Sequence, residues 1–377
     1  MPHPNEARIP SCDPTNRFYR PELDSLRFLA FSLVFLAHAL PTDAAQPHWL
    51  YALALTGSFG VKLFFTLSAY LITELLIREK VSFGTCDIRS FYARRVLRIW
   101  PLYFFALGSA FIISHLRPGS VIALSGLVAY LFFLGNWYSV FHDYLPWNFG
   151  HLCSISVEEQ FYLFWPLLIQ RLSHRALVWV CAAAWVTGQV SVAWLTAHHT
   201  PFHPNLWINS FVQLQYFAYG AIVSLILHGR VPVISSAVRL GMIVTAPLLV
   251  FMPEVILRTR TVTESSALIV DLPEYLFRGM AAALLLLGFL GSKTLGGSRV
   301  LKYLGKISYG LYIYHLPLLL FLARLIHHFT HYDHLLIVDL TAVPLTILLA
   351  SLSYHYLELP FLRIKKRFEI MPSRENL

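Results

Sequence analysis

Apolar residues form long runs along this chain, and short polar segments separate them. Most runs contain about twenty residues, the length that an α-helix needs to cross the hydrocarbon core of a bilayer. The pattern therefore predicts an all-α membrane protein, a polytopic bundle of helices. The runs lie at roughly 25–41, 55–77, 99–116, 120–140, 154–170, 176–197, 206–228, 236–253, 275–291, 304–326 and 335–357.

The distribution of basic residues predicts the orientation of these helices. Lys and Arg concentrate in cytoplasmic loops, and both ends of the chain carry such residues. Three runs separate the basic clusters at Arg98 and Arg171, although two cytoplasmic points require an even number of crossings. We therefore predict about ten transmembrane helices, with one re-entrant or partial helix within 99–170 and both termini cytoplasmic. A hairpin at 115–120 (HLRPGS) fits this arrangement; failure of the positive-inside rule at one loop, or one broken helix, are the alternatives.

The same pattern divides the chain into one large domain and two short ends. Residues 1–23 form a polar segment without the apolar core of a signal peptide, which indicates a cytoplasmic N-terminal segment. Residues 24–360 form the membrane domain, and residues 361–377 form a cytoplasmic basic tail. Residues 254–274 are expected to be the longest external loop.

Composition supports the membrane assignment and weakens two other functional classes. The chain is 56% hydrophobic and 13% charged, with a mean hydropathy of +0.59, whereas soluble domains carry about 25% charged residues. The net charge of +9 comes from clusters at the ends of apolar runs, which argues against a nucleic-acid partner. Four cysteines lack metal-ligand spacing, so we expect neither a disulfide nor a metal site.

Two ionisable residues stand on one face of the first predicted helix. Arg27 and His38 are eleven residues apart, which is about three turns or ~16 Å along the axis. Asp24 precedes Arg27 by three residues and can pair with it. Charged groups in a membrane helix usually face a partner or a cavity, so His38 is a candidate for chemistry. The alternative is interfacial snorkelling, of Arg27 and Asp24 at the cytoplasmic interface and of His38 at the opposite one.

Further polar residues mark three other regions. Arg95 and Arg98 lie on one face beside the membrane and suit either phosphate binding or anchoring to anionic lipid. Glu158 shares a helix face with Ser154 and Tyr162. Three roles are open for its carboxylate: an acid/base group, a group that orients a histidine, or a hydrogen-bond acceptor for a neighbouring helix. Gly60 favours close packing of the second predicted helix.

The tenth run carries a second histidine. His315 shares a helix face with Ser308 and Tyr312. It is a rival centre for chemistry, although a hydrogen-bonded structural histidine is the simpler interpretation.

Taken together, these segments resemble the acyltransferase 3 family of integral membrane O-acyltransferases. The resemblance covers most of the chain. It rests on Arg27 with His38, the segment 64–73, Arg95 and Arg98 before Pro101 and Tyr103, the sequence SVEEQFY at 156–162, and Ser308-Tyr309-Gly310 leading to His315 and Pro317. The chain departs from the family pattern in two places, at Ser68-Ala69 and at 153–155.

The resemblance implies transfer of an acyl group, most simply acetyl, from cytoplasmic acyl-CoA to a hydroxyl of an extracytoplasmic acceptor in the inner membrane of a cell. A cell-surface carbohydrate or a lipid-linked glycan is the expected acceptor. His38 would be the base or a transient acyl carrier, Arg27 would position the thioester, and Glu158 would orient His38. The residues expected to bind the substrates are Asp24, Arg95, Arg98, Ser308, Tyr309 and His315. A transporter or flippase without covalent chemistry is the alternative.

Overall fold

The computed structural model describes residues 19–40, 48–116, 122–142, 149–198, 205–253, 267–331 and 335–369. These residues form sixteen α-helices and, within the described ranges, no strand. The first eight are α1 (Pro21–Ala39), α2 (His48–Gly57), α3 (Phe59–Phe83), α4 (Ile88–Leu116), α5 (Leu124–Leu131), α6 (Gly135–Phe141), α7 (Leu152–Arg171) and α8 (His174–His198). The others are α9 (Asn205–Ile208), α10 (Ser210–Leu227), α11 (Ser236–Met252), α12 (Ala267–Phe289), α13 (Arg299–Lys306), α14 (Ser308–Thr330), α15 (Leu335–Ser353) and α16 (Leu359–Lys365).

Seven helical segments in the described ranges are long and apolar enough to cross a membrane. They contain α3, α4, α8, α10, α12, α14 and α15, so the prediction of an all-α, multi-pass membrane protein is confirmed. The predicted total of about ten is not established by length and composition. Helices α1 and α7 carry several charged residues, and α11 has only 17 residues.

The predicted stretch at 120–140 is not one helix. It consists of α5 and α6, with 8 and 7 residues, which span only ~12 Å and ~10 Å of a core ~30 Å thick. The break falls at Phe133, whose φ of 55° is left-handed, next to Gly135. A side chain at Gly135 would come within 2.6 Å of the Tyr130 ring. A partial stretch within 99–170 agrees with this geometry, while most of the predicted 115–120 hairpin lies outside the described residues.

The predicted external loop at 254–274 is wrong in its second half, because α12 already begins at Ala267. The Glu274 carboxylate pairs with the Arg278 guanidinium at 2.8 Å, and both side chains are almost fully buried. These charges interrupt the apolar pattern in the sequence. Inside the protein they compensate each other one helical turn apart, so the helix continues through them.

A π-helical turn at Tyr354–Glu358 extends the last predicted run into α16. It directly precedes Leu359-Pro360. Proline lacks an N–H and its ring collides with the carbonyl four residues earlier, which explains the local widening of the helix. A 3-10 turn at Lys366–Phe368 follows α16.

Helix α3 lies at the centre of the bundle and packs closely on two neighbours. A Cβ atom at Gly60 would lie 2.2 Å from the Ala30 carbonyl oxygen of α1. A Cβ atom at Gly220 of α10 would lie 2.0 Å from the Thr66 carbonyl oxygen. The close packing predicted for Gly60 is therefore confirmed. It brings the polar residues of α1 and α3 within reach of each other.

The cysteines inside the described ranges, Cys86, Cys153 and Cys181, are free and buried. Cys86 lies in the connection between α3 and α4 and donates to the Leu76 carbonyl oxygen at 3.3 Å. Burial raises the pKa of the Cys86 thiol to about 11. Cys12 lies outside the described residues.

Candidate active site

Two histidines from distant parts of the chain meet between α1 and α14. His38 Nδ1 lies 2.8 Å from the Val34 carbonyl oxygen and 3.3 Å from His315 Nε2. His315 is completely buried, and its Nδ1 lies 2.7 Å from the Tyr312 carbonyl oxygen. From the sequence, His315 is an alternative to His38 as the reactive centre. The structure instead places both histidines in one centre.

These contacts assign the tautomers of both rings. A carbonyl oxygen only accepts hydrogen bonds, so the nitrogen facing it must carry a proton, which places the proton on Nδ1 of His38 and of His315 in their neutral forms. His315 Nε2 is then an acceptor for His38 Nδ1–H. His38 Nε2 is left with a lone pair, and its ring is exposed. This is the state that a general base or a nucleophile requires.

A third histidine, His151, stands directly before α7. Its ring centre lies 5.5 Å from that of His315 and 5.4 Å from that of Tyr312. Together with His38 it borders a cleft of about 1180 Å³, which we call the histidine cavity. The cavity is lined by Val34, Ala37, His38, Ala54, Ser58, Val61, Lys62, Gly150, His151, Cys153, Ser154, Trp207, Ile208, Tyr312 and Leu316.

A second cleft, the central cavity, lies among α1, α3, α4, α7 and α14, and encloses about 720 Å³. The predicted face of Ser154, Glu158 and Tyr162 lines it. Its other polar residues are Arg27, Ser68, Arg95, Arg98, Ser308, Tyr309 and Tyr312. The central cavity therefore gathers most of the residues that the sequence nominates for the site.

The hydrogen bonds of Glu158 differ from the predicted ones. One carboxylate oxygen accepts from both the Ser68 and the Tyr162 hydroxyls. Glu158 therefore serves the central cavity, and the ring that contacts His38 belongs to His315. The prediction that Glu158 orients His38 is thus corrected. Helical spacing identifies the face of α7 on which Glu158 stands, but not the helix that this face meets.

A third cleft, the vestibule, opens at the end of the bundle that carries the basic clusters, and holds about 860 Å³. Arg27 pairs with Asp24 at 2.7 Å, as the sequence predicts, and Tyr19 donates to Asp24 at 2.9 Å. Arg94 pairs with Glu79 at 3.5 Å. Arg27, Arg95 and Arg98 line both the vestibule and the central cavity.

Arg95 differs from the other vestibule arginines in its contacts. Its guanidinium lies 5.5 Å from the Phe91 ring centre and 5.2 Å from that of Tyr162. Within the described ranges it makes no ion pair. Stacking fixes the plane of the guanidinium and leaves its N–H edge able to bind a phosphate in bidentate fashion.

The three cavities follow one another through the bundle. The central and histidine cavities share Val61, Ser154 and Tyr312 as walls. At this boundary the Tyr312 hydroxyl lies 2.6 Å from Ser154 Oγ, and 3.2 Å from the His151 carbonyl oxygen. The series thus runs from Arg27 to His38, which are ~16 Å apart along α1.

The remaining predicted binding residues occupy the wall formed by α14. Ser308 is buried and lines the central cavity. Tyr309 lines it as well, and its hydroxyl donates to the Ile99 carbonyl oxygen at 2.9 Å. This bond ties α14 to α4, so Tyr309 stabilises the wall in addition to facing the cavity.

Sequence reasoning missed two residues of the histidine cavity. Lys62 lies in an apolar run, and the argument that selects His38, an ionisable group in a membrane helix, applies to it equally. His151 stands in a polar segment before α7 and carries no such signal. Among the described residues, no group of three or more His, Cys, Asp or Glu side chains is arranged to hold a metal ion.

Comparisons with known proteins give one consistent result. Residues 20–355 match the acyltransferase 3 family model, described as an acyltransferase domain. O-acetyltransferase OatA of Staphylococcus aureus (strain MRSA252) is 25% identical over 382 residues, which cover 95% of this chain and 60% of that protein. The putative O-acetyltransferase SAS0844 of Staphylococcus aureus (strain MSSA476) is 26% identical over 374 residues, 91% of this chain and 57% of the relative.

The chain therefore spans about 60% of the length of these curated relatives. No solved structure matches.

Proposed function

Because this chain belongs to the acyltransferase 3 family, we propose that it moves an acyl group, acetyl in the simplest case, from acyl-CoA to a hydroxyl of an acceptor on the other side of the membrane. The observation that carries this proposal is the series of cavities from the arginine vestibule to His38. Two relatives of this chain are named O-acetyltransferase and putative O-acetyltransferase, which supports acetyl as the group. A cell-surface carbohydrate or lipid-linked glycan is the acceptor we propose.

The vestibule faces the cytoplasm in this proposal. Positive charge concentrates at cytoplasmic ends of membrane helices, and the vestibule contains Arg20, Arg94 and Lys365 besides the three arginines that it shares. Helices α1, α7 and α11 would then cross together with the seven apolar segments, which gives ten crossings in the inner membrane and two cytoplasmic termini. Asp24, Arg27 and Glu158 line the cavities, and Glu159 accepts from the Trp100 indole N–H at 3.1 Å, so crossing does not expose these groups to lipid.

The vestibule suits the phosphate end of acyl-CoA. Arg95 and Arg98 would bind phosphate oxygens, and Asp24 would hold Arg27 in place through their ion pair. The narrow pantetheine arm would extend through the central cavity beside Ser308 and Tyr309, with Arg27 at its entrance. The thioester would thus approach the boundary at Tyr312, next to the histidine cavity.

The chemistry assigned to His38 uses the Nε2 lone pair. As a base, His38 Nε2 accepts the proton of the acceptor hydroxyl while the hydroxyl oxygen attacks the thioester carbon. The C–S bond breaks and CoA leaves as a thiolate. The thiolate then takes the proton back from the His38 imidazolium. As a carrier, Nε2 itself attacks the thioester carbon, the C–S bond breaks, and CoA leaves as a thiolate. The acceptor oxygen then attacks the acyl carbon, the C–N bond to Nε2 breaks, and the hydroxyl proton passes to the thiolate. Both routes need the tautomer that Val34 and His315 favour.

His38→Ala tests the proposal directly. Purified protein in detergent is incubated with radiolabelled acetyl-CoA and a mixture of cell-envelope glycans, and ester-linked label is measured. Loss of a general base typically costs a factor of about 10²–10⁴ in rate, so transfer should fall by that order while acetyl-CoA binding persists. His198→Ala is the matched control, because His198 is exposed at the end of α8 and its hydrogen bond within the described ranges goes to the Trp194 carbonyl oxygen of its own helix.

Normal transfer by His38→Ala would contradict the assignment. Glycan flux into liposomes without acyl transfer would instead favour the transporter.

A further inference from the structure

Lys62 is a buried charge in the wall of the histidine cavity. Its side chain is 2% exposed, and it stands in the first turn of α3. Burial of an ammonium group without a counter-charge is costly. The cavity that Lys62 lines is also the cavity that His38 lines. A group that binds near the reactive histidine would therefore meet Lys62.

The charged neighbours of Lys62, Arg278 and Glu274, form an ion pair with each other. Arg278 pairs with Glu274 at 2.8 Å and donates to Ser58 Oγ at 3.1 Å. Ser58 is one turn before Lys62 and lines the same cavity. Among Lys62, Arg278 and Glu274, one carboxylate therefore accompanies two cationic side chains. Within the described ranges, no carboxylate lies at ion-pair distance from the Lys62 ammonium.

One aromatic contact accompanies the ammonium group. Lys62 Nζ lies 5.0 Å from the Trp207 ring centre. A cation–π contact with one ring stabilises a cation less than an ion pair with hydrogen bonds does. Trp207 also borders the cavity and is partly exposed, so a flat apolar face stands beside the positive charge. Sugar rings bind through such faces, and anionic groups bind ammonium groups.

We propose that Lys62 selects an acceptor that carries a negatively charged group close to the hydroxyl to be acylated, such as a uronic acid or a sugar phosphate. The inference rests on the proposed function and names its acceptor class. The acidic group would lie against Lys62, the sugar ring against Trp207, and the hydroxyl against His38. One ammonium group matches a single carboxylate more closely than a dianionic phosphate.

The donor does not explain Lys62. The phosphates of acyl-CoA suit the arginines of the vestibule, and the boundary of Val61, Ser154 and Tyr312 separates that region from the histidine cavity. The thioester that would reach the boundary carries no charge. The acceptor is therefore the substrate that can provide the counter-charge.

The test compares three acceptor probes with wild type and Lys62→Met. The probes are methyl β-D-glucuronide, methyl β-D-glucoside and methyl β-D-glucoside 6-phosphate, and the donor is radiolabelled acetyl-CoA. For wild type we expect kcat/KM at least about tenfold higher with an anionic probe than with the glucoside, as charge-assisted hydrogen bonds are worth a tenfold change or more. Lys62→Met should abolish this preference, and Lys62→Arg should retain most of it.

Two controls separate this inference from the proposed function. Acetyl-CoA hydrolysis without acceptor reports the reactive centre, and the ratio of kcat/KM for anionic and neutral probes within one variant does not depend on its hydrolysis rate. Lys293→Met, at an exposed turn after α12, should leave both hydrolysis and acceptor preference unchanged. Calorimetric binding of the glucuronide without donor tests Lys62 independently of turnover, and Lys62→Met should weaken it at least about tenfold.

Either of two results overturns the inference: equal treatment of charged and neutral probes by wild type, or a preference for charged probes that survives in Lys62→Met. A third result separates the two proposals. If wild type neither hydrolyses nor transfers acetyl groups but still binds the glucuronide through Lys62, the proposed function is contradicted and the anion-binding site is supported. The glucuronide and phosphate arms show which anion is preferred.

Discussion

His315→Phe removes the acceptor that faces His38 while it keeps an aromatic ring in the same buried space. The His315 ring packs edge-on against Phe31 at 5.8 Å and lies 6.5 Å from the Phe35 ring centre. Phenylalanine is apolar and similar in size, so these contacts survive. Two bonds of the ring disappear: the one from His315 Nδ1 to the Tyr312 carbonyl oxygen of its own helix, at 2.7 Å, and the one between His315 Nε2 and His38 Nδ1, at 3.3 Å. The substitution therefore isolates the positioning of His38 from the packing of α1 against α14.

The expected magnitude follows from the charge that His38 gains during the reaction. Proton uptake at Nε2 makes the ring an imidazolium, and its Nδ1–H then donates a charge-assisted hydrogen bond to His315. Such bonds contribute about 1.5–3 kcal/mol, and 1.36 kcal/mol corresponds to a tenfold rate. We therefore expect kcat to fall about 10- to 150-fold in His315→Phe. The Val34 carbonyl oxygen still holds Nδ1–H, so the loss should stay below that of His38→Ala.

Steady-state transfer of radiolabelled acetyl groups measures kcat and the KM for acetyl-CoA separately. A positioning residue should change kcat and leave this KM unchanged, because the vestibule is remote from His315. His315→Gln restores an amide oxygen near the position of Nε2 and should recover part of the lost rate. An unchanged kcat in His315→Phe would refute the tautomer argument. An equal loss in His315→Gln, or a parallel rise in KM, would assign His315 a structural role instead.

Two further predictions address the donor site and the packing of the bundle. Arg95→Ala should raise the KM for acetyl-CoA about tenfold or more through a lost charge-assisted bond, and should have a smaller effect on a donor that lacks the 3′-phosphate; equal effects on both donors would contradict contact with that phosphate. Gly60→Val should lower stability by about 1–3 kcal/mol or more through overpacking against the Ala30 carbonyl oxygen, measured by thermal unfolding in detergent. Gly108→Ala, which points into open space, is its control, and equal unfolding temperatures in the two variants would refute the close approach.

Local features of the site could be predicted from the sequence. The pairing of Asp24 with Arg27 depends on a three-residue spacing within one helix, and the structure contains it. The shared face of Ser154, Glu158 and Tyr162 depends on helical periodicity, and it lines the central cavity. The acyltransferase 3 family, predicted from motifs and their order along the chain, is confirmed by the match of residues 20–355 to the family model. Each of these inferences needs only residues that are close in the chain, or their order along it.

Contacts between helices could not be predicted in the same way. His38 and His315 are separated by 277 positions, and periodicity does not identify which helix faces which. For the same reason the sequence does not show that Glu158 accepts hydrogen bonds from Ser68 and Tyr162, and its predicted contact with His38 is wrong. The start of α12 was missed because its polar residues are compensated inside the bundle, which hydropathy along the sequence does not record.

The two kinds of contact have different consequences for assembly. Arg27 and Asp24 are paired within one turn of α1, so their charges compensate each other as soon as this helix forms and do not require a neighbour. The bond from Ser68 to Glu158 and the contact between His38 and His315 join separate helices, and they can form only when the bundle packs. The charges at the donor entrance are thus neutralised within one helix, while the contacts of the reactive centre form only with the tertiary structure. A substitution that loosens the contact of α1 with α3, such as one at Gly60, should therefore impair the state of His38 before it impairs the binding of acyl-CoA at the vestibule.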